Sequence, residues 1–317
     1  MRALVISNMP ASPENPGRGS FVRDQVRALR ALGHYVELFA FAPGGARAYA
    51  RAARTLRARY AHERFDVVHS HFGLTAWPAF AVRAGVRALT LHGTDLSHPR
   101  SGPITRAALP LIGLPATVSA SLARLLPGAG RRRRVAVLPC GVDLERFRPV
   151  PRAEARRALA LDPAAPFVLF PADPARPEKR VDRARAVAAA TELVTLGHAH
   201  PDEVALWMNA ANAVLIPSER EGFGLAALEA LACEVPVLAT PVGIAPLALQ
   251  GIRGAHCGAF VEAEWRAALA PHLADPDPRV PGRARAELFS SERMAARVAA
   301  AWSELVPPPA GGGLTPR

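Results

Sequence analysis

Short apolar runs recur along the chain, each closed by a turn rich in glycine, proline or polar residues and followed by a stretch with helical spacing. Arg2 to Asn8, Tyr35 to Phe41, Phe65 to His69, Arg87 to Leu91 and Ala116 to Val118 read as strands, and the run VAVLPCG after Arg134 as another. A second series follows at Phe167 to Phe170, Glu192 to Leu196, Ala213 to Ile216 and Pro236 to Thr240. Ala213 to Ile216 and Pro236 to Thr240 read as buried strands. Between them, Phe21 to Leu32, Arg47 to Arg64, Ser119 to Leu126, Pro201 to Ala210, Leu225 to Cys233, Trp265 to Leu273 and Ser290 to Leu305 read as helices. Ser119 and Ser291 are candidate caps. Ile244 to Phe260 reads as mostly loop. Strand–helix alternation of this kind predicts an α/β fold with parallel sheets.

The alternation is interrupted once, by VDLERFRPVPRAEARRALALDPAAP, which has no strand, several prolines and a polar helix. An inter-domain linker is expected within about residues 148 to 165. A chain of 317 residues is long enough for two ordinary domains. No apolar stretch of the roughly 18 residues needed for a spanning helix is free of charge, and MRALVISNMP reads as a first strand rather than a signal peptide, so a cytoplasmic protein is expected. Cys140, Cys233 and Cys257 are far apart and form no CxxC pair, which argues against a disulfide framework or a zinc site.

The formal charge of +12 comes mostly from arginines scattered among alanines, without a nucleic-acid-binding motif, so no specific nucleic acid is implied. Two features change the picture. Lys179 is the only lysine, which suggests a task for a compact ammonium. Arg47, Arg51, Arg54, Arg57 and Arg59 lie on one helix with Tyr49, Leu56 and Tyr60 between them, a pattern that suits either a solvated face or peripheral contact with an acidic membrane surface.

The chemistry concentrates in AVLIPSEREGFGLAALEALACEVPVLATP, residues 213 to 241, a strand–turn–helix–strand unit. Its turn opens a helix, where unpaired N–H groups and the helix dipole favour an anion such as a diphosphate. Glu221 and Glu229 bracket the helix start and lie up to about 12 Å apart, so a single ligand touching both must be elongated. Gly17 and Gly19 make the loop after the first strand another phosphate-friendly turn, though not a GxGxxG. His92 and Asp95 follow a strand end in HGTDL, and Arg176, Lys179 and Arg180 stand in a proline-rich turn after Phe170. His69 and His71 share a strand face and could pair on a metal, but no third ligand is evident. Arg131 to Arg134 read as a solvated basic turn, and Asp275-Pro276-Asp277 as a proline-broken turn rather than a metal–nucleotide motif.

VLIPSEREGFGLAALEALACEVPVLATPVG resembles the glutamate-x7-glutamate signature of retaining family 4 glycosyltransferases. GRGSFVRDQ, DVVHSHFG, TLHGTDL, TVSASLA, VLPCGVDLERFRP, RPEKR and ERMAARVAAAW fall in the family's order along nearly the whole chain. The resemblance implies the GT-B fold, two Rossmann-like domains facing across a cleft. The acceptor-side domain would span 1–155 and the nucleotide-sugar domain 156–288; a terminal helix at 289–306 would pack back toward the first domain, ahead of a disordered tail at 307–317. It implies hexosyl transfer from a nucleotide sugar, UDP- or GDP-linked, to an acceptor hydroxyl, without a metal or other cofactor. Residue by residue, it places Glu221 on the donor sugar, Glu229 on the ribose, and the N–H groups of Phe223, Gly224 and Leu225 on sugar and phosphate. It places Lys179 with Arg176 or Arg180 on the diphosphate, His92 on the sugar and Gly19 beside the phosphate, with Asp95 shaping the acceptor side or supporting the His92 loop.

Some positions depart from the family. Pro174 stands where relatives carry an arginine, Arg180 replaces a common glycine, and IAPLAL after Gly243 lacks an acidic residue. Only about 40 residues separate Lys179 from Glu221, which predicts a C-terminal sheet missing one unit. The shortening keeps alive a non-catalytic sugar-nucleotide-binding protein or partner subunit, and a sugar-nucleotide epimerase is a further alternative.

Overall fold

The computed structural model describes residues 1–126, 134–197 and 199–306. It divides into two compact units: Met1–Pro10, Val22–Pro139 and Met294 onward form the first, and Ala11–Phe21 with Cys140–Arg293 form the second. The expected tail at 307–317 and most of the basic run from Arg131 lie outside the described residues.

The first unit carries strands β1 (Arg2–Ser7), β2 (Tyr35–Ala40), β3 (Arg64–His71), β4 (Arg83–Leu91), β5 (Leu114–Thr117) and β6 (Ala136–Val137). They form one parallel sheet in the order β2-β1-β3-β4-β5-β6. Ala3, Leu4, Val5 and Ile6 are fully buried, as a strand covered on both faces requires. One face packs Leu4 and Ile6 with Leu56, Tyr60, Phe65 and Val68. Because β1 sits between β2 and β3, the chain direction across the sheet reverses there, and the carboxyl ends of the central strands flank a ligand-binding position of open α/β sheets.

The second unit holds β7 (Phe167–Phe170), β8 (Glu192–Thr195), β9 (Ala213–Ile216), β10 (Val237–Ala239) and β11 (His256–Cys257), parallel in the order β11-β10-β9-β7-β8. Its five strands accord with the shortened C-terminal sheet expected from the short spacing between Lys179 and Glu221. The order reverses between β7 and β9, the two strands whose following turns carry Lys179 and Glu221. Val168, Phe170, Leu215 and Leu238 meet a fully buried Trp265, whose indole N–H is satisfied by Ala259 O at 3.1 Å.

Several boundaries differ from expectation. The arginine-rich helix is Ala46–Arg59 and ends at Tyr60, so Arg64 opens β3. β4 starts four residues earlier than expected, at Arg83. The Ser119-capped helix is a single turn, Ala120–Ala123. The region after Gly243 contains a helix, Ala245–Leu249, and the edge strand β11. The final helix, Ser291–Ser303, is capped by Ser290, whose Oγ accepts the Arg293 N–H at 3.2 Å; Ser291 is the first helical residue. Adjacent serines look alike in sequence, and the choice between them is made by β-type pairing of Val142 with the Phe289–Ser291 backbone.

Arginine does structural work inside the second unit. Arg156 is fully buried and donates to the carbonyls of Ala210, Asp162, Pro163 and Ala165 at 2.6 to 3.1 Å and to Asn212 Oδ1 at 3.2 Å. Arg279 and Arg283 bond the carbonyls of Cys233 and Ala232, which close the helix Leu225–Ala232. Part of the net positive charge thus ties backbone together rather than facing a polyanion.

Candidate active site

Two turns at the switch point of the second sheet build the site. After β7, a 3-10 turn at Pro177–Lys179 places the lysine, and Arg180 follows in the left-handed region at φ 57°. After β9, the segment from Pro217 to Gly224 leads into the helix Leu225–Ala232. The turns are joined by backbone: Glu219 N donates to Glu178 O at 2.9 Å.

Lys179 Nζ lies 2.7 and 2.6 Å from the two carboxylate oxygens of Glu221. Both side chains are largely covered, with 13 and 9% of their surface exposed, so the pair is screened little by solvent. Ser218 Oγ, itself buried, donates to Glu221 Oε1 at 2.7 Å, while Thr240 Oγ1 donates to Ser218 O. Ser218 and Thr240 were not anticipated as site residues. Ser218 stands three positions before Glu221, a spacing that an exposed turn would show equally well, so the sequence carried no distinguishing signal.

The pair lines a recess of about 70 Å³ with Phe170, Ser218, Gly224, Leu225 and Ala226. Gly224 caps the helix at φ 88°, a left-handed conformation that favours glycine. Leu225 and Ala226, whose first-turn N–H groups have no intrahelical acceptor, line the recess. Phe223 is 5% exposed and turns its carbonyl to Ile244 N at 2.7 Å. A second glycine, Gly243 at φ 60°, is equally constrained, because a Cβ there would fall 2.4 Å from Phe223 O.

Glu229 sits in the second turn of the same helix, half-buried. Burial, with the Glu229 charge as a lesser cause, pushes the nearby Cys140 thiol up to about 12, so it stays protonated. Arg176 is bonded to its neighbour Glu178 at 2.6 Å, and Arg180 to Asp182 and Glu219. Neither arginine lines the recess; Lys179 is the cation that does. Gly19 has φ 67° in a loop, Ala11–Phe21, that clusters with the second unit.

In the first unit, His92 and Asp95 are drawn into one tight loop. The Asp95 carboxylate accepts from His92 N at 3.0 and 3.1 Å, from Gly93 N at 2.8 Å and from Gly73 N at 3.3 Å. Burial still holds its acidity weaker than an ordinary aspartate's. The Asp95 carboxylate thus ties the backbone of the His92 loop to Gly73. His69 and His71 stack at 4.9 Å rather than converge on a shared point. Among the described residues no three His, Cys, Asp or Glu side chains form a ligand set for a metal. His69 accepts from Trp302 Nε1 at 3.2 Å and faces Thr90 Oγ1 at 2.7 Å, while His71 faces His92. Phe72, between β3 and the next turn, is held at φ 72°, a strain of about 1–3 kcal/mol that clusters at functional loops. Its ring lies 4.5 Å from that of His92.

Comparison with known proteins covers both units. The sequence profile described as Glycosyltransferase Family 4 matches residues 17–146, and that described as Glycosyl transferases group 1 matches residues 153–275. The chain is 33% identical to a D-inositol 3-phosphate glycosyltransferase of Actinosynnema mirum over 70% of its own length and 69% of the relative's. It is 27% identical to the protein of that name from Pseudarthrobacter chlorophenolicus, over 90% of each. In fold it is similar to the sucrose-phosphate synthase of Thermosynechococcus elongatus, with a TM-score of 0.76 at 19% identity over 96% of this chain and 99% of that one. The Anabaena protein HepE in complex with UDP-glucose is similar too, with a TM-score of 0.69 at 17% identity over 96% of this chain and 100% of the other.

Proposed function

The chain belongs to the group 1, family 4 glycosyltransferases, and from that premise we propose that it moves a hexosyl group from a nucleoside-diphosphate sugar to an acceptor hydroxyl, with retention of anomeric configuration and without a divalent metal. Its fold is of the GT-B class, with two parallel-sheet α/β domains.

One observation carries the reading: Lys179 and Glu221 meet at the switch point of the second sheet, beside the open first turn of a helix. Cleaving a sugar–phosphate bond builds negative charge on the departing diphosphate. A fixed ammonium and preorganised N–H groups are the electrostatic stabilisers such a step needs, and they come from the chain itself. Glu221, released from Lys179 by the phosphate, would take the sugar hydroxyls. Glu229, further along the helix, would take the ribose. The first unit's part in this reading is His92, a hydrogen-bonding partner for the donor sugar. Retention would follow from attack on the face the leaving phosphate occupies, with that phosphate accepting the acceptor's proton.

Support for a UDP-linked donor comes from HepE, solved with UDP-glucose. The test is a turnover assay over UDP-, GDP- and ADP-hexoses with a polyol acceptor panel, with and without EDTA, reading the anomeric configuration of the product. Transfer that persists in EDTA and retains configuration is expected. Nucleotide binding without transfer or hydrolysis would overturn the enzymatic reading in favour of a binding protein, and an inverted product would overturn retention.

We also propose peripheral contact with acidic membranes through the helix Ala46–Arg59. It buries Ala52 and Leu56, while Arg47, Arg51, Arg54, Arg57 and Arg59 are exposed. No helix among the described residues is long and apolar enough to cross a membrane. Cosedimentation with phosphatidylserine vesicles, but not phosphatidylcholine vesicles, is expected; equal sedimentation with both would overturn it.

A further inference from the structure

The reading above gives His92 a hydrogen bond to the donor sugar, and the first unit holds a device that decides which of its ring nitrogens can donate. Gln25, on the helix Ser20–Ala31, is 7% exposed, and its side-chain amide nitrogen lies 3.1 Å from His71 Nε2. His71, at the end of β3, is 1% exposed, and its Nδ1 lies 3.1 Å from His92 Nε2. An amide N–H can only donate, so His71 Nε2 accepts. In a neutral imidazole the proton then sits on Nδ1. His71 Nδ1–H donates in turn to His92 Nε2, which leaves His92 protonated at Nδ1.

Each condition for this chain is met by packing. Burial pushes His71 down to about 3 and holds His92 well below the usual imidazole range, with the His71 ring adding to the effect, so both rings are neutral near pH 7. The His71 ring is kept in plane by stacking on His69, which is oriented by Trp302 and Thr90. The His92 backbone is held by the Asp95 carboxylate. His71 cannot turn without giving up its buried bond to Gln25, nor His92 without giving up its partly buried bond to His71, at a cost of about 1–3 kcal/mol.

We infer that Gln25 and His71 are positioning residues, a relay that presents His92 to the donor sugar as the Nδ1-protonated tautomer and hence as a hydrogen-bond donor rather than a base. The inference rests on the place given to His92 in the proposed transferase. It touches neither the diphosphate site nor the acceptor.

The test is long-range proton–nitrogen correlation NMR of the 15N-histidine-labelled full chain near pH 7.5. His92 protonated at Nδ1 is expected; Nε2-protonated His92, which would mean that the chain runs in the opposite direction, overturns the relay. His71→Leu and Gln25→Leu are expected to mix the His92 tautomers, whereas His71→Asn, whose amide N–H takes the place of Nδ1–H, keeps the wild-type pattern. Gln25→Leu also keeps the test open should His71→Leu fail to fold. An unchanged His92 signal in the folded leucine variants overturns the relay. Turnover reads the other half: a drop of about tenfold in the leucine variants, largely restored in His71→Asn, is expected for the loss of one oriented hydrogen bond. Shifted tautomers with unchanged turnover would remove His92 from the donor site while leaving the relay standing.

Discussion

Lys179 gives its ammonium to both oxygens of Glu221, at 2.7 and 2.6 Å, so the group expected to meet the diphosphate already has a carboxylate as its counter-ion. Donor binding on this geometry is an exchange of partners. In the proposed reaction phosphate would displace carboxylate on Lys179, and the freed Glu221 would turn to the sugar.

That exchange predicts opposite effects of one substitution on binding and on chemistry. Glu221→Gln removes the competitor for Lys179, so UDP should bind about tenfold more tightly by calorimetry, a gain of about 1.4 kcal/mol. Turnover should fall at least about a hundredfold, as should that of Lys179→Ala, each having lost a group that the proposed reaction sets at the reacting centre. Weaker UDP binding by Glu221→Gln would show that Lys179 is not held back by its partner.

Gly243 is not interchangeable with alanine. At φ 60° a side chain is strained by about 1–3 kcal/mol, and its Cβ would lie 2.4 Å from the Phe223 carbonyl and 2.8 Å from the Glu221 Cβ. Gly243→Ala should therefore lower both the thermal midpoint and turnover by moving the Glu221 turn. Gly251→Ala, also at positive φ but with nothing within 4 Å, should affect stability alone.

Acid should destabilise the first unit through its histidines. His69, His71 and His92 are all held below the usual imidazole range by burial, so the unfolded chain binds protons that the folded chain does not. Stability is then full above about pH 6.5 and falls as pH drops through the window below it. With each group contributing up to about 1.4 kcal/mol per pH unit, the combined slope reaches about 4 kcal/mol per unit. Asp95, raised by burial, acts with the opposite sign just above the ordinary aspartate range and offsets part of the loss there. Urea midpoints measured at pH 7, 6 and 5 should decline, and His71→Asn should flatten the decline.

Arg156 should be among the least replaceable residues outside the site. Its guanidinium serves four carbonyls and Asn212, and it stands 5.1 Å over the Phe167 ring. Arg156→Met leaves the buried Ala210 carbonyl without this donor, while Asn212 Oδ1 keeps the Phe167 N–H and the carbonyls of Asp162, Pro163 and Ala165 lie near the surface, so it should cost about 2–3 kcal/mol in urea unfolding. Arg156→Lys should recover little, because an ammonium cannot span the same fork.

The sheet strands of both units were legible because buried parallel strands write themselves as unbroken apolar runs, as in Ala3–Ile6 and Ala213–Ile216. Lys179, Glu221 and Gly224 were legible because they lie in turns between such runs, where polar and glycine positions stand out. What stayed hidden is contact across the chain. Gln25 reads as an ordinary polar helix residue until the fold brings it to His71, 46 positions away. His69 and His71 share a strand face and invited a metal, yet their partners, Trp302 and His92, come from elsewhere. The choice of Ser290 over Ser291 as the final cap depends in the same way on a distant pairing with Val142. Short helices such as Ala245–Leu249 escape because one or two turns show too little periodicity to register.

A chain with a single lysine, placed in the recess proposed to take the donor, carries its own chemical reporter. Amine-selective acylating reagents have one lysine side chain to attack in this sequence. The extent of modification at Lys179, read by peptide mass, measures how often its nitrogen leaves Glu221 for solvent. Nucleoside diphosphates that occupy the recess would slow that modification in proportion to their binding, so a donor can be ranked from the unaltered protein before any acceptor is known.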